Sequence, residues 1–308
     1  MASVDPSMVY DDTLAAVGSG PARRIGGSLA AGQIVGGRYR VGSLLGSGGM
    51  GLVFEGTHIE LGSPVAIKIV RPQFSQDSHI LERFVNEARN VAALTSPHIA
   101  RVFDAGKLHT GEAYLVMERL VGQDMASLLA QSGPLPWPVA VAYVAQACDG
   151  LAEAHAHGVV HRDLKPEHLY VIQAGSAEPL VKILDFGISK NIRQDEARMT
   201  LPGDSIGSPL YMSPEQVQNP ALVDERTDVW SLGVVLYEAI TGKLPFNGET
   251  IAQVQWQVIA EDPQPLSARC PDAPQALEAV ILRCLRKAAA ERFQSVDELR
   301  RALRALLG

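Results

Sequence analysis

The sequence predicts an α+β chain in which a small antiparallel sheet comes first and helices follow. Three observations carry this reading. Five short segments rich in β-branched and aromatic residues, Arg38 to Leu45, Leu52 to Thr57, Val65 to Val70, Val102 to Asp104 and Ala113 to Met117, fall in the first part of the chain, enough for a five-stranded sheet. One helix interrupts them, because Leu81, Phe84, Val85, Ala88, Val91 and Ala92 recur at helical spacing between Ser78 and Thr95. Beyond residue 122 the pattern turns mainly helical, broken by a second hairpin, Leu169 to Ile172 and Leu180 to Leu184, around a polar turn.

The 308 residues can bury a large core, in one domain of two lobes or in two ordinary domains. A net charge of -7, with basic residues scattered, argues against a dedicated nucleic-acid binder. Cys148, Cys270 and Cys284 form neither a C-x-x-C motif nor an even framework, so buried thiols in a reducing cytoplasm are expected. No signal leader and no uncharged apolar run of spanning length is visible, so a chain without a membrane span is expected, soluble or truncated. Residues 1–36, rich in Gly, Ala and Ser, read as a flexible leader.

Arg38 to Leu45 runs into Gly46-Ser47-Gly48-Gly49-Met50-Gly51-Leu52-Val53. Glycines let backbone approach a phosphate and leave N–H groups to donate to it, although a plain hairpin explains the run equally well. A dinucleotide-binding version would open a helix at the third glycine, whereas Leu52 to Thr57 continues as strand. In the strand after Pro64, Ala66 and Lys68 share a face. Glu87 interrupts the apolar stripe of the helix that follows, and a carboxylate there needs a cation, which Lys68 can supply.

His161-Arg162-Asp163-Leu164-Lys165-Pro166-Glu167-His168 leads into the second hairpin, which ends at Asp185-Phe186-Gly187. Antiparallel pairing brings the residue before one strand beside the residue after the other. His168 and Asp185 are therefore expected to be neighbours, with Asp163 at the same edge: two carboxylates and an imidazole, the makings of a metal-assisted site. His155, His157 and His161 also cluster, but the first two end a helix.

In order and spacing these motifs, with Ser213-Pro214-Glu215, Asp228 and Arg292, resemble the eukaryotic-like protein kinase family in its bacterial serine/threonine type, over about residues 38–308. The resemblance implies a two-lobed protein-kinase-like fold: residues 37–117 as the small lobe of sheet and helix, 118–122 as hinge, and 123–308 as the larger helical lobe. It implies ATP with Mg²⁺ and a protein substrate carrying Ser or Thr. Leu45 through Val53, Ala66, Lys68, Glu118, Leu120 and Tyr170 would line the nucleotide site, with Lys68 on the α- and β-phosphates and Glu87 as its partner. Asp163 would orient the substrate hydroxyl as base, Lys165 would face the γ-phosphate, and Asp185 would hold the metal. Thr200, with Ser205 second, would accept a regulatory phosphate that Arg162 receives, and Ser208 would sit in the peptide-docking loop. His161 would brace backbone in the core, Asp228 would bond loop backbone, and Arg292 would pair with Glu215.

One residue departs from the family. His168 stands where its metal-binding Asn is expected. Mg²⁺ binds imidazole poorly, while Mn²⁺ tolerates it better. Loss of one preorganised electrostatic group costs about 10²–10³-fold in rate, and enzymes start from about 10⁶-fold or more above background. A slow kinase and a pseudokinase scaffold are both compatible with the residue.

Overall fold

Strand alternation decides how the sheet is covered. The computed structural model describes residues 29–48, 51–70, 78–173, 179–186, 208–219 and 222–308, with side chains not described for 78–83 and 208. Six strands, β1 (Ile34–Val35), β2 (Tyr39–Gly48), β3 (Gly51–His58), β4 (Pro64–Val70), β5 (Val102–Lys107) and β6 (Ala113–Glu118), pair antiparallel in the order β1-β2-β3-β4-β6-β5. In β4, Val65, Ile67 and Ile69 enter one apolar cluster with Tyr39, Phe54 and Val116. Ala66 and Val70 enter the other, beneath the sheet, where Phe84, Ala88 and Val91 of α1 (Ser78–Ala92) meet them. Lys68 shares that inner face, as alternation requires.

Among the described residues the sheet thus has six strands, where five were read from sequence. β1 pairs Ile34 with Arg40 and Val35 with Tyr39, and Leu29 and Val35 are buried with the outer cluster. This part of the expected leader is therefore folded onto the sheet. Two residues beside a glycine pair carry no alternation, so partnership with β2 alone makes them strand.

The helical part begins with β7 (Gln123–Asp124) and α2 (Met125–Ser132), whose N-cap is Asp124, accepting from Ser127 N. α3 (Trp137–Ala156) starts on Pro136 and Pro138 and buries Val141, Val144, Cys148 and Leu151. β8 (Leu169–Ile172) pairs with β7 and with β9 (Leu180–Ile183), a three-stranded sheet of which the sequence reading had only the second hairpin. α4 (Pro214–Gln218) follows with a capping box between Ser213 and Gln216.

α5 (Arg226–Thr241) is the pillar: every residue from Thr227 to Tyr237 is buried, as expected of a helix surrounded on all sides. It ends at Gly242, whose left-handed backbone (φ 65°) returns an N–H to the Glu238 carbonyl. α6 (Ile251–Ala260), α7 (Gln275–Cys284) and α8 (Val296–Arg304) complete the chain. Arg300 and Arg304 of α8 pair with Asp149 of α3 at 2.5 and 2.7 Å. The two parts are stitched by a parallel bridge between Ile99 and Ile183, with Ala100 N donating to Ile183 O and Ile183 N to His98 O.

All three cysteines are free. Cys148 and Cys284 are buried, and burial pushes the Cys284 thiol up to about 12; Cys270 is only half-buried, which corrects the expectation of three buried thiols. No helix among the described residues is long and apolar enough to cross a membrane.

Candidate active site

The loop at 161–168 is held from below by one buried carboxylate. Asp228, in the first turn of α5, accepts from His161 N and Arg162 N (both 2.9 Å) and lies 2.8 Å from His155 Nε2. Burial pushes its carboxyl up, but the His155 contact and the loop donors outweigh burial and hold it below the usual range. His161 is fully buried. Its Nδ1 accepts from Asp163 N (3.2 Å), so its Nε2 carries the proton donated to Leu184 O (2.9 Å). Burial lowers that imidazole to about 4, which keeps it neutral. The ring fixes Asp163 on one side and the residue before Asp185 on the other, and the Phe186 ring packs against it, tilted, at 4.9 Å.

Among the described residues, two non-glycine ones have left-handed backbone, Arg162 (φ 64°) and Asp185 (φ 53°). Both flank the reacting edge, and such conformations persist only where the surroundings over-determine them. Here Arg162 N is held by Asp228, and its carbonyl accepts from Gln216 Nε2 at 2.8 Å.

The expected proximity of His168 and Asp185 is met one residue off register. Leu169 pairs with Ile183, so Leu184 N donates to His168 O (2.9 Å) and Asp185 lies one step beyond. His168 Nδ1 sits 2.6 Å from the Asp163 carbonyl oxygen and 3.8 Å from Asp163 Oδ2. Burial lowers the His168 imidazole despite the nearby charges of Asp163 and Asp185, so the ring is neutral near pH 7.

Lys68 Nζ lies 2.8 Å from Asp185 Oδ1. The amine is held by the carboxylate of the second hairpin, where the sequence reading paired it with Glu87. Desolvation raises the Asp185 carboxyl, but Lys68 and His168 more than offset it and bring it to about 2.

A cleft of about 720 Å³ opens between the two parts, within the range that holds small ligands. Of the predicted nucleotide residues, Leu45, Gly46, Ser47, Val53, Ala66, Lys68, Glu118, Leu120 and Tyr170 line it, together with Asp185. The reading missed Met117, Asp124 and Leu184, which line it too. Met117 pairs with Ala66 across β4 and β6, a register that could have named it. The glycines divide by role. A side chain at Gly46 or Gly48 would meet nothing within 4 Å, but a Cβ at Gly51 would lie 2.1 Å from Ile69 O. Gly51 is required by the approach of β3 to β4, whatever the loop binds. Tyr170 closes the floor by donating to Gly122 O (2.7 Å).

Gly49, Met50, Gly187, Thr200 and Ser205 lie outside the described residues, so the proposed regulatory acceptors have no structural account. Ser208 opens a 3₁₀ turn, Ser208–Tyr211. Lys165 Nζ lies 4.0 Å from Glu167 Oε1.

A second cavity of about 500 Å³ adjoins the loop, lined by Leu129, Pro166, Leu210, Tyr211, Glu238 and Glu167, the last also lining the nucleotide cleft. Burial and the charge of Glu167 raise the Glu238 carboxyl, partly opposed by the Tyr211 hydroxyl donating at 2.7 Å. Arg292, fully buried, ties α4 to the rest of the larger lobe: Nη1 and Nη2 hold Glu215 at 2.7 and 2.8 Å, and the guanidinium also donates to the carbonyls of Arg286, Arg226 and Lys287.

The family model for the protein kinase domain matches residues 39–302. The serine/threonine-protein kinase PknB of Mycobacterium leprae is 39% identical over 266 residues, which cover 85% of this chain and 42% of that protein. The serine/threonine-protein kinase pkn3 of Myxococcus xanthus is 37% identical over 279 residues, 89% of this chain and 51% of that one. The chain therefore spans about half or less of the curated relatives it matches. The PknI kinase domain of Mycobacterium tuberculosis, known from a crystal structure, aligns with a TM-score of 0.71 at 28% identity over 90% of this chain and 99% of that one. With a loop anchored by Asp228, a Lys68–Asp185 pair across the cleft and a match along most of its length, the chain belongs to the protein kinase domain family, among the bacterial serine/threonine kinases.

Proposed function

We propose that the chain transfers the γ-phosphoryl group of ATP to a Ser or Thr hydroxyl of a protein. The observation that carries this reading is the convergence of Lys68, Asp185 and the Asp163 loop on one edge of the cleft. Phosphoryl transfer asks a protein for placement and charge neutralisation more than for covalent chemistry. Lys68 would turn from Asp185 to the α- and β-phosphates. Asp163, its backbone fixed by His161 and His168, would orient the acceptor hydroxyl and take its proton, and Lys165 would face the transferred group. Asp185 and His168 offer an oxygen and a nitrogen donor, a set that fits a divalent cation shared with the phosphates; when bound, that cation would neutralise phosphate charge.

The test is incubation with ATP labelled at the γ-position and a basic protein acceptor, followed by phosphoamino-acid analysis. Label on phosphoserine or phosphothreonine over several turnovers supports the reading. Bound nucleotide without transferred label leaves the scaffold reading that His168 raises.

The cavity holding Glu167 and Glu238 extends the proposal to substrate choice. A cationic side chain entering there would meet two carboxylates, one of them desolvated. Peptides carrying Arg or Lys near the acceptor hydroxyl are expected to react with higher kcat/KM than neutral ones. Glu167→Gln should narrow the advantage by about tenfold, the scale of one hydrogen bond to a charged group. Equal kcat/KM values for basic and neutral peptides on the unmodified chain would remove the acidic subsite.

A further inference from the structure

We propose that His168 makes this site selective for cations that accept imidazole, so that Mn²⁺ or Co²⁺ is preferred to Mg²⁺ as the metal bound with the nucleotide. The inference rests on the reading that a metal–nucleotide complex occupies the cleft beside Asp185.

The hydrogen bond from His168 carries the argument. Nδ1 is 2.6 Å from the carbonyl oxygen of Asp163. A carbonyl oxygen only accepts, so Nδ1 is the protonated nitrogen of the neutral ring and Nε2 carries the lone pair. A histidine whose one ring N–H is tied to a backbone carbonyl has the outer-shell arrangement usual for metal-binding imidazoles: tautomer fixed, orientation fixed, the other nitrogen left to ligate. The orientation is held at both ends of the residue, since His168 N donates to Lys165 O and His168 O accepts from Leu184 N, both at 2.9 Å. His161 packs on the ring at 5.5 Å.

The rest of the donor set explains why the nucleotide is needed. Among the described residues no group of three or more His, Cys, Asp or Glu is placed to hold a metal. Asp185 and His168 supply two donors, and phosphate oxygens and water must supply the others. An amide at position 168 would offer oxygen, which suits Mg²⁺. An imidazole offers nitrogen, which Mg²⁺ accepts poorly and the first-row divalent ions accept increasingly from Mn²⁺ to Co²⁺.

The experiment measures binding of a non-hydrolysable ATP analogue with each metal by calorimetry, for the unmodified chain and for His168→Asn, together with pulsed electron paramagnetic resonance of the Mn²⁺ complex. The expected results are affinity in the order Co²⁺ over Mn²⁺ over Mg²⁺ for the unmodified chain. A ¹⁴N coupling on Mn²⁺ should disappear in His168→Asn, and the Mn²⁺-to-Mg²⁺ affinity ratio should fall by about tenfold or more in that variant. Nucleotide binding with no histidine coupling, or with a ratio unchanged by the substitution, overturns the inference and leaves the proposed kinase reaction standing. Absence of metal–nucleotide binding in both proteins overturns the inference and the proposed reaction together.

Discussion

Replacing Asp163 with Asn is expected to lower the rate of phosphoryl transfer about 10²–10⁴-fold, the usual contribution of a positioned general base. The thermal melt and the nucleotide affinity should stay where they were. Geometry separates the two effects. The Asp163 backbone holds the loop by two contacts, the N–H donating to His161 Nδ1 and the carbonyl accepting from His168 Nδ1. Asn keeps both backbone contacts and the side-chain shape and replaces the basic carboxylate with a neutral amide. Single-turnover transfer of label from γ-labelled ATP reads the loss, and calorimetric nucleotide binding reads what is retained. Equal residual transfer in the two proteins would mean that the loop carries no chemistry.

The second large effect is on stability. Arg292→Ala is expected to destabilise the larger lobe by about 3–5 kcal/mol, the cost of leaving a buried charge without its partner. For a chain of this size that lowers the melting temperature by about 5–9 °C. The guanidinium has no exposure and serves two carboxylate oxygens and three carbonyls, so its removal orphans acceptors on three segments at once. Glu215→Gln, which keeps an acceptor in place, should cost less.

The same pair sets a pH dependence. Burial raises the Glu215 carboxyl, but the hydrogen bonds and charge of Arg292 prevail and hold it below its ordinary value. A carboxyl whose folded pKa is depressed stabilises the fold fully above its unfolded value of about 4.3. That contribution fades as pH falls through the lower, folded value. Acid melts from pH 6 downward should therefore lose this increment in the unmodified chain, and Arg292→Ala should lack it throughout. A melt unchanged by Arg292→Ala would mean that α4 is not anchored through this pair.

What the resemblance to the kinase family implied for three residues is found: Asp228 under the loop backbone, His161 bracing backbone, and Arg292 paired with Glu215. Most strands followed from alternation. What escaped depends on partners distant in sequence. Ile34–Val35 carries no periodicity and becomes a strand by pairing. Lys68 meets Asp185 of the second hairpin, a partner that periodicity within α1 could not name. Glu238 left a faint signal, a carboxylate set between buried Tyr237 and Ala239; only the fold places it beside Glu167.

The central claim is that Lys68, Asp163 and Asp185 serve one nucleotide. A crystal structure of the chain with a non-hydrolysable ATP analogue and Mn²⁺ tests it most directly. The account predicts the Lys68–Asp185 contact of 2.8 Å opened, the amine on the α- and β-phosphates, Asp185 on the metal and the terminal phosphate facing Asp163. An intact Lys68–Asp185 pair with the nucleotide bound elsewhere would contradict it.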